Sequence, residues 1–116
     1  MKAQYNNQPV KLEAVGNGSW LWRWNILQIE VTDNNGTTRP AWTCEETTVW
    51  NEPTADKIKQ AVIRENWDET KEAKLINDYN AAKENILPVD KIAAYHDFLI
   101  QRTALKQDVD NYFINK

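Results

Sequence analysis

The stretch Ser19–Val31, SWLWRWNILQIEV, decides how the first half of the chain folds. Trp20, Trp22 and Trp24 occupy every second position, which is the period of a β-strand. The apolar residues that follow change parity, from Ile26 on one side to the set Leu27, Ile29 and Val31 on the other. This change favours a β-bulge near Asn25 to Leu27 that keeps the apolar side chains on one face. A strand without a bulge is the alternative.

Turn signals on both sides of this stretch divide residues 1–50 into four strands. The signals are YNNQP (5–9), GNGS (16–19) and DNNG (33–36). The segments between them predict strands at 2–5, 10–15, 19–32 and 37–50, in an antiparallel meander.

The long hairpin has a register that depends on its turn. If Asn35-Gly36 forms a two-residue turn, the predicted pairs are Val31–Pro40, Ile29–Trp42 and Leu27–Cys44. All three pairs are apolar, which supports this register. With a bulge, Trp20 would then face Trp50; without one, Trp22 would face Val49.

Residues 53–115 are typical of three helices, with start signals at Pro53-Thr54, Asp68 and Asp90. Apolar residues recur every three or four positions, as on one face of a helix. The stripes are Ile58, Ala61 and Val62; Leu75, Ile76, Tyr79, Ala82 and Ile86; and Tyr95, Phe98, Leu99, Leu105, Val109, Tyr112 and Phe113.

The predicted fold class is α+β, with an N-terminal four-stranded antiparallel β-meander packed against about three C-terminal α-helices. The 116 residues are enough for one domain, with a β part at 1–50 and a helical part at 53–115. The junction WNEPT (50–54) is too short to act as a flexible linker.

Composition narrows the classes of partner. The net charge of −3 disfavours nucleic acid, because phosphate binding needs a positive field. A single cysteine excludes an internal disulfide, and one cysteine with one histidine excludes a zinc knuckle. We expect neither a signal peptide nor a transmembrane segment, and a cytoplasmic or virion-associated location.

Candidate catalytic residues are few, and the sequence predicts that the protein is not an enzyme and uses no cofactor or metal. Nucleotide-binding, metalloprotease, hydrolase and calcium-loop motifs are absent from the sequence. His96 and Asp97 are adjacent on a helix and point about 100° apart. Cys44 is expected to be a buried apolar residue beside Trp42. Glu45 and Glu46 would point to opposite faces of a strand, so they could not flank one glycosidic bond.

The tryptophan row has three interpretations: sheet core, a protein-docking patch and a sugar-stacking platform. Each buried Trp side chain contributes about 4–6 kcal/mol, so exposing three would forfeit most of a domain's stability. Core is therefore favoured, with Trp20 at the rim as the exception. The candidate interaction surface is Trp20, Trp22, Trp24 and Arg23, although Arg23 has the opposite parity to the rings.

The segments MKAQYNNQPVKLEA, GNGSWLWRWNI, KLINDYNAAKENI and AAYHDFLIQRTALKQDV cover about half the chain. In these segments the chain resembles small uncharacterised proteins of phages and prophages of gut Bacteroidetes. The resemblance implies a virion, tail-region or assembly-accessory role, with no assigned catalytic residue. We therefore expect a non-enzymatic structural or interaction protein with a protein partner. Its candidate contacts are the outer faces of the helices and any sheet edge that the short first strand leaves open. A carbohydrate-binding module that uses the tryptophan row, with a glycan as partner, is the alternative.

Overall fold

The computed structural model describes residues 1–115 as a four-stranded antiparallel sheet followed by three helices, which confirms the α+β class. The strands are β1 (Lys2–Tyr5), β2 (Leu12–Ala14), β3 (Ser19–Thr32) and β4 (Thr38–Trp50). The helices are α1 (Ala55–Asn66), α2 (Glu69–Lys83) and α3 (Asp90–Ile114). The packing of the helices against the sheet stays a prediction.

The strand order is β1-β4-β3-β2, which differs from a simple meander in one strand. Strands β2, β3 and β4 follow one another as antiparallel neighbours, as predicted. Strand β1 instead pairs with β4, from Lys2 opposite Glu45 to Tyr5 opposite Trp42. The chain therefore crosses from one edge of the sheet to the other between β1 and β2, and the longest strands lie in the middle.

The predicted bulge is present in β3. Trp24 pairs with Glu45 and Leu27 pairs with Thr43, so two residues of β3, Asn25 and Ile26, lie opposite one residue of β4. Asn25 has φ of 54°. Asparagine accepts this left-handed conformation more readily than other non-glycine residues do, which explains why the irregularity falls here.

The predicted two-residue turn is wrong, and the hairpin closes with a three-residue loop. The Asp33 amide donates to Thr37 O at 3.0 Å, and Gly36 N donates to Asp33 O at 3.1 Å. Gly36 has φ of 80°, so the loop is a type I turn followed by a left-handed residue. The Asp33 carboxylate also accepts from Asn35 N and Thr37 N, each at 2.9 Å, which favours this turn.

One extra loop residue moves every predicted hairpin pair by one position. Val31 pairs with Arg39, Ile29 with Ala41 and Leu27 with Thr43. Beyond the bulge, Trp20 pairs with Val49, and neither predicted alternative for this end is right.

The register defines two faces of the sheet. The tryptophan face carries from β3 the residues Trp20, Trp22, Trp24, Leu27, Ile29 and Val31, which confirms that the bulge keeps them together. The opposite face, called here the arginine face, carries Arg23 of β3 and Cys44 and Glu46 of β4. Placing Cys44 with Leu27 on one face was therefore wrong, although Cys44 is buried as expected.

The chain divides into two compact units, residues 1–58 and the residues from Lys59 onward. The change from strands to helices lies between Trp50 and Ala55, at the predicted junction 50–54, whereas the division between the two units falls inside α1. The first unit holds the sheet, and the second holds most of the helical residues.

Within the helical unit, α2 and α3 form a pair whose contacts are aromatic. The Tyr79 and Tyr95 ring centroids lie 4.5 Å apart, and Trp67, which precedes α2, meets Phe98 of α3 edge to face at 5.0 Å. Of the predicted stripe residues, Val62, Ala82, Phe98 and Val109 are buried here. Ile86 is exposed because it lies beyond the end of α2.

Helix starts follow the predicted signals at two of three positions. The Asp68 carboxylate accepts from Lys71 N at 2.8 Å and caps α2. The Thr54 hydroxyl accepts from Lys57 N at 3.3 Å at the start of α1. Asp90 is not the cap of α3 but its first residue; Val89 occupies the cap position without a side-chain hydrogen bond.

Candidate interaction surface

The tryptophan row is not uniformly exposed. Trp22 has 0% of its surface exposed, whereas Trp20 and Trp24 are half-buried. The Trp24 indole N–H donates to the Thr47 hydroxyl at 3.1 Å, and Lys11 Nζ lies 4.8 Å from the centroid of the Trp22 ring. With its middle ring covered, the row does not form a continuous platform of three exposed rings.

Arg23 lies on the opposite face from the rings and is buried, with 3% of its surface exposed. Its guanidinium donates to the Glu46 carboxylate and to the Glu13 carboxylate, each at 2.7 Å. It also donates to the Tyr5 hydroxyl at 3.1 Å and to Val10 O at 3.0 Å. The Tyr5 hydroxyl in turn donates to Glu46.

This network takes one side chain from every strand: the buried Arg23 of β3 and Glu46 of β4, the half-buried Tyr5 of β1 and the exposed Glu13 of β2. A buried charge is stabilised only where partners replace the lost water. In the part of the chain that the structure describes, every buried side-chain nitrogen and oxygen has a hydrogen-bond partner. Arg23 therefore joins both short outer strands to the central hairpin, and it is not an exposed contact residue.

The pKa values on the arginine face follow from this packing. Burial lowers the pKa of Arg23, but hydrogen bonds to Glu46, Glu13 and Tyr5 outweigh burial and raise it above its ordinary value. The hydrogen bond to Glu46 raises the pKa of Tyr5, and burial raises it further. Arg23 lowers this pKa, but by less, so it stays above its ordinary value. Burial raises the pKa of the Cys44 thiol, and the nearby Glu46 charge adds to this. Cys44 is thus held as an unreactive thiol.

The far half of β3 presents an open sheet edge. Strand β2 pairs only with Trp20–Trp22, and Lys11 O extends this contact by accepting from Arg23 N at 2.7 Å. Among the described residues, no strand lies outside Leu27–Thr32.

Backbone groups at this edge point outward at alternate residues. The Asp33 amide forms a backbone hydrogen bond with Thr37 across the hairpin. Hydrogen-bonded pairs recur at every second residue of an antiparallel ladder, so the backbone groups of Val31, Ile29 and Leu27 also point toward β4. The residues between them, Gln28, Glu30 and Thr32, direct their N–H and C=O groups away from β4, and all three are exposed. We call these three residues the free edge.

The corresponding edge of β4 is protected. Pro40 pairs with Glu30 in the position where both residues direct their backbone groups outward, and proline has no N–H to offer. Next to it, Arg39 donates to the Asn6 side chain at 2.6 Å. Proline and charged side chains are the usual protection of an edge strand against pairing.

Apolar side chains accompany the free edge on the tryptophan face. Leu27 is 54% exposed, and Ile29 and Val31 are half-buried. Beside Leu27 lies a depression of about 340 Å³ whose lining includes Thr43, Glu45 and Lys2. A strand added at the free edge would therefore also meet an apolar strip.

The remaining candidates for chemistry are scattered. Glu45 and Glu46 lie on opposite faces, as predicted. The His96 ring lies 6.1 Å from the Tyr79 ring, within the helix pair. In residues 1–115 no group of three or more His, Cys, Asp or Glu side chains is placed to hold a metal ion. No helix in this range is long and apolar enough to cross a membrane.

Sequence reasoning missed the partners of Arg23, and it expected an open edge at the short first strand, whereas the free edge lies on β3 beyond the short β2. The signal for the network was Arg23 itself, a charge between two tryptophans on the opposite face. Its partner Glu46 follows only from the correct register, and that required the correct loop length. The free edge could have been found from the short β2 segment beside the long β3 segment.

No protein-family model, no curated protein and no solved structure matches the chain.

Proposed function

We propose that the protein is a non-enzymatic interaction protein that binds an extended protein segment by adding it as a strand at the free edge. The observation that carries this proposal is the difference between the two edges of the distal hairpin. On β4 one of the two outward residues beyond β1, Pro40, has no N–H to offer, and the other is Thr38, whereas on β3 the residues Gln28, Glu30 and Thr32 all keep backbone donors and acceptors.

Strand addition is a recurring mode of peptide recognition that uses main-chain hydrogen bonds for affinity. Three outward residues offer about six backbone hydrogen-bonding groups. Each intermolecular hydrogen bond contributes roughly 0.5–1.5 kcal/mol net. The apolar strip of Leu27, Ile29 and Val31 adds specificity for a segment with apolar side chains at alternate positions.

The tryptophans have a supporting role in this proposal. Trp22 and the Arg23 network hold the near half of β3 rigid, so that the far half is presented in one conformation. Trp20 and Trp24, which are half-buried, extend the tryptophan face toward a partner. The covered Trp22 ring gives no support to a sugar platform of three rings.

We place this activity in a phage or prophage setting, as a virion, tail-region or assembly accessory that is cytoplasmic or virion-associated. This part of the proposal rests on the sequence resemblance. Mass spectrometry of purified virions from a producing strain tests it: finding the chain at constant stoichiometry supports a virion part, and its absence from virions contradicts that role.

The binding mode is tested with the variant Glu30→Pro. Proline at residue 30 removes one outward N–H without removing a hydrogen bond between β3 and β4. Glu30→Gln is the matched control, because it removes the charge and keeps the N–H. If circular dichroism shows that Glu30→Pro is unfolded, Gln28→Pro replaces it, because it removes another outward N–H.

The probe is a displayed library of random nine-residue peptides. We expect wild type and Glu30→Gln to select peptides with alternating apolar residues, and Glu30→Pro to lose their binding at least tenfold. Selected peptides that bind all three proteins equally would contradict strand addition at the free edge.

A further inference from the structure

We propose that the segment which occupies the free edge is the same segment of a second copy of this chain, paired antiparallel about Ile29. This inference rests on the proposed function and names its partner. Two copies would then join their four-stranded sheets into one continuous sheet across a twofold axis.

Only some registers are compatible with the backbone. Outward residues must meet outward residues, because an antiparallel ladder pairs residues whose N–H and C=O groups face each other. The backbone groups of Gln28, Glu30 and Thr32 point outward, so these residues must pair with one another. The choice of the residue on the twofold axis then fixes every pair.

With Ile29 on the axis, Gln28 of one copy meets Glu30 of the other, and Leu27 meets Val31. The two Gln28–Glu30 pairs exchange about four backbone hydrogen bonds. Their side chains, an amide and a carboxylate, lie opposite each other on the arginine face. On the tryptophan face Ile29 meets its own counterpart, and the Leu27–Val31 pairs on both sides of it are apolar.

The neighbouring registers are worse. With Glu30 on the axis, two carboxylates would lie directly opposite each other, which destabilises a strand pair. With Gln28 on the axis, Val31 would meet Asn25 at the bulge and lose its apolar partner. With Val31 on the axis, Ile29 would meet Asp33.

The length and charge of the open row also fit a second copy. Strand β2 and Lys11 occupy the row outside β3 as far as Arg23, and the row from Asn25 to Thr32 is open. Pairing about Ile29 puts Asp33 of the second copy opposite Asn25, two positions from Lys11. The acidic end of one strand thus approaches a basic residue at the end of β2, on both sides of the axis.

Cysteine cross-linking distinguishes the registers, because a residue on the axis is the one that meets its own counterpart. Single cysteines at residues 27 to 31 are introduced into the Cys44→Ala background, and the purified proteins are oxidised with diamide. We expect Ile29→Cys to form a disulfide-linked dimer at least tenfold faster than Gln28→Cys or Glu30→Cys. Fastest cross-linking at residue 28 or 30 would overturn the register, and equal slow cross-linking at every position would overturn the pairing.

Sedimentation velocity separates this inference from the proposed function. We expect wild type and Glu30→Gln to form dimers whose fraction rises with concentration, and Glu30→Pro to stay monomeric. A wild-type monomer whose selected peptides still depend on the residue-30 amide would overturn the second copy and leave strand addition standing. A monomer without such peptides would overturn both.

Discussion

The two halves of β3 have the same length but different surroundings. The near half, Ser19–Trp24, lies between β2 and β4 and contains the fully buried Trp22 and the buried Arg23. The far half, Leu27–Thr32, has β4 on one side and the free edge on the other. One strand thus provides both a fixed core and an open pairing surface, and the bulge at Asn25 separates them.

The difference follows from a short sequence feature, because β2 is only three residues long. Hydrogen bonds and side-chain contacts from β2 end near Arg23, so the near half of β3 has neighbours on both sides. We therefore expect substitutions in the near half to reduce stability and substitutions in the far half to affect association.

The largest expected effect is that of Trp22→Ala. Removing a fully buried indole leaves a cavity and costs about 3–5 kcal/mol of unfolding free energy. Urea denaturation followed by circular dichroism measures it. Trp50→Ala is the matched control, because Trp50 is 57% exposed and its loss should cost less than about 1 kcal/mol. Equal costs for the two variants would contradict a core position for Trp22.

The next effect is that of Arg23→Met, which leaves the Glu46 carboxylate buried without its cation. We expect a loss of about 3 kcal/mol in the free energy of unfolding. The double variant Arg23→Met/Glu46→Met should recover most of this loss, because it removes both buried charges. If the double variant is as unstable as the single one, the cost comes from lost packing and not from the unpaired carboxylate.

The sequence predicts those parts of the fold that depend on local patterns. The bounds of β1, β3 and β4, the bulge and the α+β class follow from period-2 alternation and turn signals, which are local. Strand β2 is shorter, at Leu12–Ala14, than the predicted 10–15. Strand β1 beside β4 does not follow, because KAQY is too short to specify which edge it joins. The loop Asn34–Gly36 was misjudged because Asn-Gly favours a two-residue turn, whereas the Asp33 carboxylate stabilises the three-residue one.

The candidate site was predicted less well than the fold. Trp20, Trp22, Trp24 and Arg23 were chosen for their residue types, yet two of the four are fully enclosed. Exposure of a strand edge depends on which segments lie beside it, and residue type contains no such information. Pro40 was visible in the sequence, but its protective position follows only from its pairing with Glu30.

Tyr5→Phe should have a smaller effect, about 0.5–1.5 kcal/mol near neutral pH from the lost hydrogen bonds. It should also change the alkaline dependence of stability. Because the pKa of Tyr5 is raised in the folded chain, the unfolded chain loses its phenolic proton first. The stabilisation is present below about pH 10 and is lost as pH rises above it.

Denaturation between pH 8 and 11 measures this dependence. In wild type the free energy of unfolding should decline further from near pH 10 upward, and in Tyr5→Phe this additional decline should be absent. Cys44→Ala is the control, because the raised pKa of that buried thiol gives a decline that begins near pH 9. An unchanged alkaline profile in Tyr5→Phe would show that the hydroxyl has no role in the network.

Gly36→Ala should have an effect no larger than that of Tyr5→Phe. Gly36 has φ of +80° and nothing within 4 Å of an added Cβ, so the cost is that of backbone conformation alone, about 1 kcal/mol. Gly36→Asn should cost less, because asparagine accepts this conformation. Denaturation of the monomer measures both variants, and a cost for asparagine above that for alanine would contradict the loop geometry.

Residue-resolved amide hydrogen exchange along β3, measured by NMR in dilute and in concentrated solution, tests the central claim most directly. We expect the amides of Gln28 and Glu30 to exchange fast when dilute and to become protected when concentrated, while those of Leu21, Ile29 and Val31 stay slow in both. Slow exchange of Gln28 and Glu30 in the dilute monomer would show that this edge is not open. Fast exchange at both concentrations would show that no second copy pairs there.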